Sequence, residues 1–235
     1  WVADNTFVEG QYTAGLDGIY ATPNIQTRVD HVVISGGYFS RFRDSYSFVD
    51  ARVVNAHFSI DHESELALRN AIRFEVTTST AKGEGLVGWS NIFIAGKYSS
   101  TGGNSIYMKC ERAGVVDCGT TTIGPVVFTS SCAYTPIIIE SLVGSIVGHN
   151  IGAMSLEITP ADASQDAVKI VGGTSAATIE AMTIGNITGK ANTTALRSVV
   201  RVEGVTSKVV RPKNISVKNA TVALSDVRLA VLDEY

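Results

Sequence analysis

One seven-residue phrase recurs four times between residues 168 and 221, and it constrains the fold more than any other feature of the sequence. It reads Val168-Lys-Ile170-Val-Gly172-Gly-Thr174, then Met182-Thr-Ile184-Gly-Asn186-Ile-Thr188. Val200-Arg-Val202-Glu-Gly204-Val-Thr206 and Ile215-Ser-Val217-Lys-Asn219-Ala-Thr221 follow. The pattern is apolar, any, apolar, any, Gly or Asn, any, Thr. Two alternating apolar positions make a short strand with one buried face, because side chains alternate sides along a strand. Gly or Asn then accepts the positive φ that turns the chain, and Thr suits the extended residue after it. The phrases start at Val168, Met182, Val200 and Ile215, at similar intervals. A strand-and-turn unit repeated at near-constant spacing marks a solenoid, each coil stacking its apolar positions on the next. The competing fold is an ordinary β-sandwich or barrel.

The repeat reaches back through the chain, since Val32-Val-Ile34-Ser-Gly36-Gly-Tyr38 matches it with Tyr in the last place. His31-Val-Val-Ile34 and His57-Phe-Ser-Ile60 echo each other at a separation near one coil of a three-sided helix. If successive phrases are two faces of one coil, a full turn covers two phrases. Val171 then falls on Val202, and residues 181–188 fall on 214–221, in line with that longer coil rather than one of half the length. The expected fold class is all-β, a right-handed parallel β-helix. Residues 1–27, aromatic and rich in turn formers, read as an N-terminal cap on the open end, and residues 28–235 as the β-helix. One short helix is expected over residues 64–72, with Ser64 as its N-cap.

Composition sets limits on partners. Of 235 residues, 45% are hydrophobic and 17% charged, too apolar for disorder, and the net charge of −3 gives no reason to expect nucleic acid. No apolar run approaches the ~20 residues of a membrane span, so the chain reads as soluble without membrane insertion. It opens at Trp1 with neither Met nor signal peptide, as a processed or excised segment would. Cys110, Cys118 and Cys132 lack metal-type spacing, and an odd count argues against a disulfide framework. No metal and no cofactor are expected. Asn186, Asn192, Asn214 and Asn219 head N-x-Ser/Thr sequons, but the first and last occupy the turn place of the phrase and read as turn or ladder asparagines.

The repeated phrase and the Val32–Phe39 text resemble the central domain of bacteriophage tailspikes and related polysaccharide-processing β-helices, among them pectate lyases, polygalacturonases and uronan epimerases. That resemblance implies an elongated domain binding long carbohydrate chains on a side face or between subunits. It also implies a homotrimer in a virion tail or another extracellular setting. Gly148-His149-Asn150-Ile-Gly152 is similar to the Gly-His-Gly element of polygalacturonases, but their adjacent aspartate pair occurs nowhere here. His149 therefore reads as a turn residue.

Ionisable and aromatic side chains concentrate in residues 28–65, which hold three of the four histidines. Positions read as outward include Arg28, Asp30, His31, Tyr38, Arg41, Arg43, Tyr46, Asp50, His57, Asp61, His62 and Glu63. Glycoside hydrolysis needs two carboxyl groups about 5–9.5 Å apart, and coils stacked at about 4.8 Å supply such separations. Asp30 with Asp50, or Asp50 with Asp61, are the expected pairs. A lyase would instead use a base such as His57 or His62, with Arg41 or Arg43 stabilising the charge that develops. Tyr38, Arg41, Arg43, Tyr46, His62 and Glu63 are the expected substrate contacts. The function expected is recognition and depolymerisation of a bacterial surface polysaccharide, capsule or O-antigen. The alternatives are a non-enzymatic structural or adhesive fibre section and a solvated face of ordinary surface ion pairs.

Overall fold

The computed structural model describes residues 2–3, 6–7, 11–21, 28–35, 38–64, 70–77, 87–100, 102–112, 116–129, 131–173, 178–192, 196–204, 216–223 and 233–234. Among them the architecture is a parallel β-solenoid built on two ladders, and every strand pairing is parallel. Ladder B has eight strands: Gln11–Ala21, Tyr38–Val49, Asn70–Val76, Ile106–Cys110, Ile137–Ser141, Asp166–Gly172, Ser198–Gly204 and Asp233–Glu234. Ladder A has twelve, including Arg28–Asp30, Val33–Ser35, Arg52–Ser64, Val87–Ser100, Val116–Phe128, Ser145–Ile151, Met154–Ile158, Thr183–Ala191 and Ser216–Ala223.

The four phrases alternate between the ladders. Val168 and Ile170 of the first stack on Val200 and Val202 of the third in ladder B. Ile184 of the second stacks on Val217 of the fourth in ladder A. The coil is therefore the longer one, with two phrases to each turn. The register corrects two details. Val171 pairs Glu203 rather than Val202, and His57 pairs Val33 rather than His31.

Ladder B shows why the sequence folds this way. Its inward positions form two unbroken rows, Tyr46–Ile72–Ile106–Ile137–Val168–Val200 and Phe48–Phe74–Met108–Ile139–Ile170–Val202. All of these side chains are buried, and each contributes about 1.5–3 kcal/mol. Aromatic contacts knit the early coils: Phe48 stacks on Phe74 at 5.1 Å, and Phe58 meets both edge-on. The inward side chains of ladder A join the same apolar cluster.

One bend of ladder A falls on a left-handed residue in coil after coil. The register aligns His31, Asn55, Asn91, Thr120, Gly148 and Ala181 in one column. All six have positive φ, from 51° at His31 to 75° at Gly148. The column is capped by side chains: Asn91 Nδ2 donates to Asn55 Oδ1 at 2.6 Å, and Asn55 Nδ2 donates to Asp30 Oδ1 at 3.0 Å. Asn186 is also left-handed, as a turn asparagine should be. Gly172 is not: it ends its strand stacked between Ser141 and Gly204.

No helix occurs among the described residues. The expected helix over 64–72 has Ser64 at the end of one strand and Asn70, Ala71 and Ile72 in the next, while 65–69 lie outside the described residues. The Leu, Ala and Ile spacing that imitates a helical stripe ends in a strand whose Ile72 belongs to the inward row of ladder B. Within residues 1–27, the strands Val2–Ala3, Thr6–Phe7 and Gln11–Ala21 pair with the following coil.

Thr120 is the β-branched member of the left-handed column and is exposed, a conformation costly for such a residue. Thr120→Gly should therefore raise stability by about 0.5–1 kcal/mol in chemical denaturation. A loss of stability would show that the corner is not under backbone strain.

Candidate functional site

Of the residues singled out in the sequence, Tyr46 lies in the core, Asp50 at a corner, and Asp30 and His57 in ladder A. Tyr46, read as outward, is 1% exposed and meets Phe58 edge-on in the core. An inward place in the Tyr46–Ile72 row leaves its ring no solvent face. Asp50 lies at the bend after the strand Tyr38–Val49, where its carboxylate accepts from Thr77 N at 2.7 Å and Thr77 Oγ1 at 2.6 Å. It ties the corner of one coil to the next. Asp30 is buried in ladder A, accepting from Asn55 and facing His31 Nδ1 at 2.9 Å. His57 is exposed on the outer face of ladder A, edge-on to Phe93 with ring centroids 4.6 Å apart. The backbones of Asp61, His62 and Glu63 pair with Lys97, Tyr98 and Ser99. The side chains of these three, and of Tyr38, Arg41 and Arg43, lie outside the described residues. The register sets Asp30 beside Val54 and Asp61 beside Lys97.

His149, expected in a turn, is inward in the strand Ser145–Ile151 and 1% exposed. Gly148 makes the turn with its φ of +75°. The next residue then faces the core, between Thr121 and the position of Met182. Burial lowers its pKa to about 4, opposed more weakly by the Cys118 backbone, and neither ring nitrogen has a well-formed hydrogen bond. The imidazole is neutral at pH 7.

A different constellation lies on the outer face of ladder B. Outward positions alternate with the buried rows and give two parallel columns. One runs Arg73, Tyr107, Ile138, Lys169, Arg201; the other runs Glu75, Lys109, Glu140, Val171, Glu203. Strand spacing of about 4.8 Å brings successive side chains into contact along each column. Arg73 pairs with Glu75. Lys109 Nζ lies 3.8 Å from Glu75 and 2.5 Å from Glu111. Tyr107 donates its phenol proton to Glu140 Oε2 at 2.8 Å. Burial and the Glu140 carboxylate raise the Tyr107 pKa, so the phenol stays protonated as a donor. Further along, Lys169 lies 3.0 Å from Glu203, which also pairs with Arg201. Burial alone would raise Glu203, but hydrogen bonds from Lys169 and Arg201 outweigh it and hold the carboxyl below its ordinary value.

Over the first rungs of this face lies an open concavity of about 430 Å³. Arg73, Glu75, Tyr107, Ile138 and Glu140 form its floor, and Asn70 with the Gly102-Gly103-Asn104 loop forms a wall. Asn104 Nδ2 approaches Asn70 Oδ1 at 3.5 Å. The mixture of amide, guanidinium, carboxylate and phenol offers donors and acceptors with one flat ring, a set suited to polyhydroxylated ligands. No group of three or more metal-ligating side chains gathers among the described residues.

Sequence reasoning passed over this face, although the signal was present. Tyr46-Ser-Phe48-Val-Asp50, Ile72-Arg-Phe74-Glu-Val76, Ile106-Tyr-Met108-Lys-Cys110 and Ile137-Ile-Ile139-Glu-Ser141 are further copies of the apolar-x-apolar-x phrase. Aligning them puts the two outward columns in the x positions. No protein-family model, curated protein or solved structure matches the chain. Its fold and face alone define the class: a parallel β-solenoid with a polar, ion-paired outer groove.

His149 supplies a pH test. Its folded pKa lies near 4, below the ordinary value of 6.5, so the unfolded chain binds the proton more readily. The stability it permits is complete above about pH 7 and falls as pH drops from 6.5 towards 4, by about 2 kcal/mol at pH 5. His149→Leu should show a shallower fall between pH 7 and pH 5 than the parent chain. Equal slopes would remove His149 as the cause.

Proposed function

We propose that this chain is the β-solenoid section of a tailspike-like protein that recognises a bacterial surface polysaccharide, capsule or O-antigen, and depolymerises it on the outer groove of ladder B. The observation that carries the reading is the concavity floored by Arg73, Glu75, Tyr107 and Glu140 on a regular, stacked face. A stacked row of outward side chains suits a long chain ligand, because every rung from Arg73/Glu75 to Arg201/Glu203 offers at least one charged donor or acceptor. The side chains are held by one another before a ligand arrives, which lowers the entropy lost on binding.

Cleavage would draw on the two carboxylates of the groove. Glu75 and Glu140 lie two rungs apart in one column, with Lys109 between them, a backbone separation of about 9.5 Å. That approaches the separation used by inverting glycosidases, in which one carboxyl protonates the leaving oxygen and the other activates water. Tyr107 orients Glu140 through its phenol hydrogen bond. The homotrimeric, extracellular or virion setting belongs to the same proposal and rests on the resemblance of the repeat.

A second reading is a non-enzymatic adhesive or structural fibre section. It is favoured by the partnering of every ionised side chain in the two columns, none of which stands alone as a poised acid or base.

Incubating the chain with a panel of capsule and O-antigen polysaccharides separates these readings. Reducing ends report hydrolysis, ultraviolet absorbance of an unsaturated uronate reports a lyase, and co-sedimentation reports binding. Glu140→Gln should lower cleavage at least 100-fold while leaving binding within about tenfold. Tyr107→Phe should weaken both by about tenfold, the loss of one charge-assisted hydrogen bond. Binding without cleavage would favour the adhesive section, and neither across the panel would defeat the polysaccharide reading.

A further inference from the structure

The concavity on ladder B is lined by more negative than positive charge, and the imbalance sits at one residue. Its lining sets the Arg73 guanidinium against the Glu75 and Glu140 carboxylates. Arg73 is paired with Glu75 of its own strand. Lys109, one rung on in the Glu75 column, lies 2.5 Å from Glu111 and 3.8 Å from Glu75. Glu140 follows Lys109 in that column, yet its one partner among the described residues is the Tyr107 phenol at 2.8 Å. Burial and that carboxylate keep the phenol protonated, so it donates a hydrogen bond but cancels no charge. A half-buried carboxylate with no cation beside it is costly to hold in a cleft, and a ligand that brings a positive group relieves the cost.

We propose that the concavity is a subsite for a primary ammonium group, so that the polysaccharide taken by this groove carries unacetylated amino sugars. The inference rests on the polysaccharide reading of the groove and narrows it. An ammonium has three donors. Glu140 supplies the opposite charge, and Asn70 and Asn104 on the wall offer amide oxygens as acceptors. The Tyr107 ring, beside Ile138 in its column, attracts a cation to its face. Arg73 lies two rungs from Glu140 in the other column and stays with Glu75, so it does not compete. A uronate would set its own carboxylate against Glu140, and an N-acetylated sugar would leave the charge unanswered.

The test titrates the full chain at pH 6, where the amines carry protons, with four probes. These are tetrameric glucosamine, its N-acetylated form, tetrameric galacturonate, and spermidine as an ammonium without a sugar. The glucosamine tetramer should bind about tenfold tighter than the N-acetylated one, the joint effect of an ion pair and a cation–ring contact. The difference should shrink as NaCl is raised from about 0.05 to about 0.5 M. Glu140→Gln should bring the two affinities together and leave the far-UV circular dichroism unchanged. Tyr107→Phe retains both carboxylate and ring, so it should keep the ratio while lowering both affinities. Spermidine binding that is lost in Glu140→Gln, with no sugar bound, keeps the ammonium site and defeats the polysaccharide reading. Equal or tighter binding of the N-acetylated or galacturonate tetramer keeps the polysaccharide and overturns the ammonium site. A preference that survives Glu140→Gln, or failure of both ammonium probes to bind, overturns it as well.

Discussion

Parallel, in-register hydrogen bonding between coils is the constraint on which everything else in this molecule depends. Once Val168 must sit on Val200 and Ile184 on Val217, each coil has to trace the path of its neighbour. A bend needed in one coil is then needed in all at the same place. The left-handed column from His31 to Ala181 is the result, and it accepts residues as unlike as His, Thr and Ala because the ladder on either side leaves no other path. The cost of a positive φ, about 1–2 kcal/mol for an ordinary side chain, is met by the backbone bonds that flank it. Where Asn occupies the column, the side chains add bonds of their own from Asn91 through Asn55 to Asp30.

The same register turns side-chain alternation into continuous surfaces. Inward positions fuse into apolar rows, and outward positions fuse into columns in which Arg, Lys, Glu and Tyr neutralise or bond one another. Ion pairs of this sort are weak singly at a surface. Here neighbouring strands hold them at fixed spacing, so they form a preset polar groove rather than a collection of independent contacts. Core and groove thus draw on one repeat, with opposite faces of each strand assigned to each.

The fold was legible because the phrase states it directly: Val168, Ile170, Val200 and Val202 are inward positions, and the spacing of alternate phrases is the coil. Legibility failed where a local pattern had two readings that only the register separates. Tyr46 reads locally as an outward aromatic, but its strand stacks it on Ile72 in an inward row. His149, flanked by glycine, read as a turn, whereas the turn is completed at Gly148 and the next side chain faces in. Asp50, an expected acid, accepts two hydrogen bonds from Thr77 at a corner, a contact between coils that its place in the chain does not announce. The groove is hard to read along the chain because Arg73, Glu75, Tyr107 and Glu140 are scattered in sequence and become neighbours only through stacking. Charge density along the chain singles out residues 28–65, whereas the groove gathers residues from separate coils.

The inward rows of ladder B are graded, from Tyr46 and Phe48 through Ile72 and Phe74 to Val200 and Val202. Met108 stands where Phe74 gives way to Ile139, and an unbranched thioether is well suited to fill the mismatch between a flat ring and a branched chain. The coils are therefore not interchangeable parts. Each is cut to the width of its two neighbours, so excising or duplicating one would join surfaces of different calibre. Length in this solenoid is set by the order of its side chains, and a change of length requires a new interior.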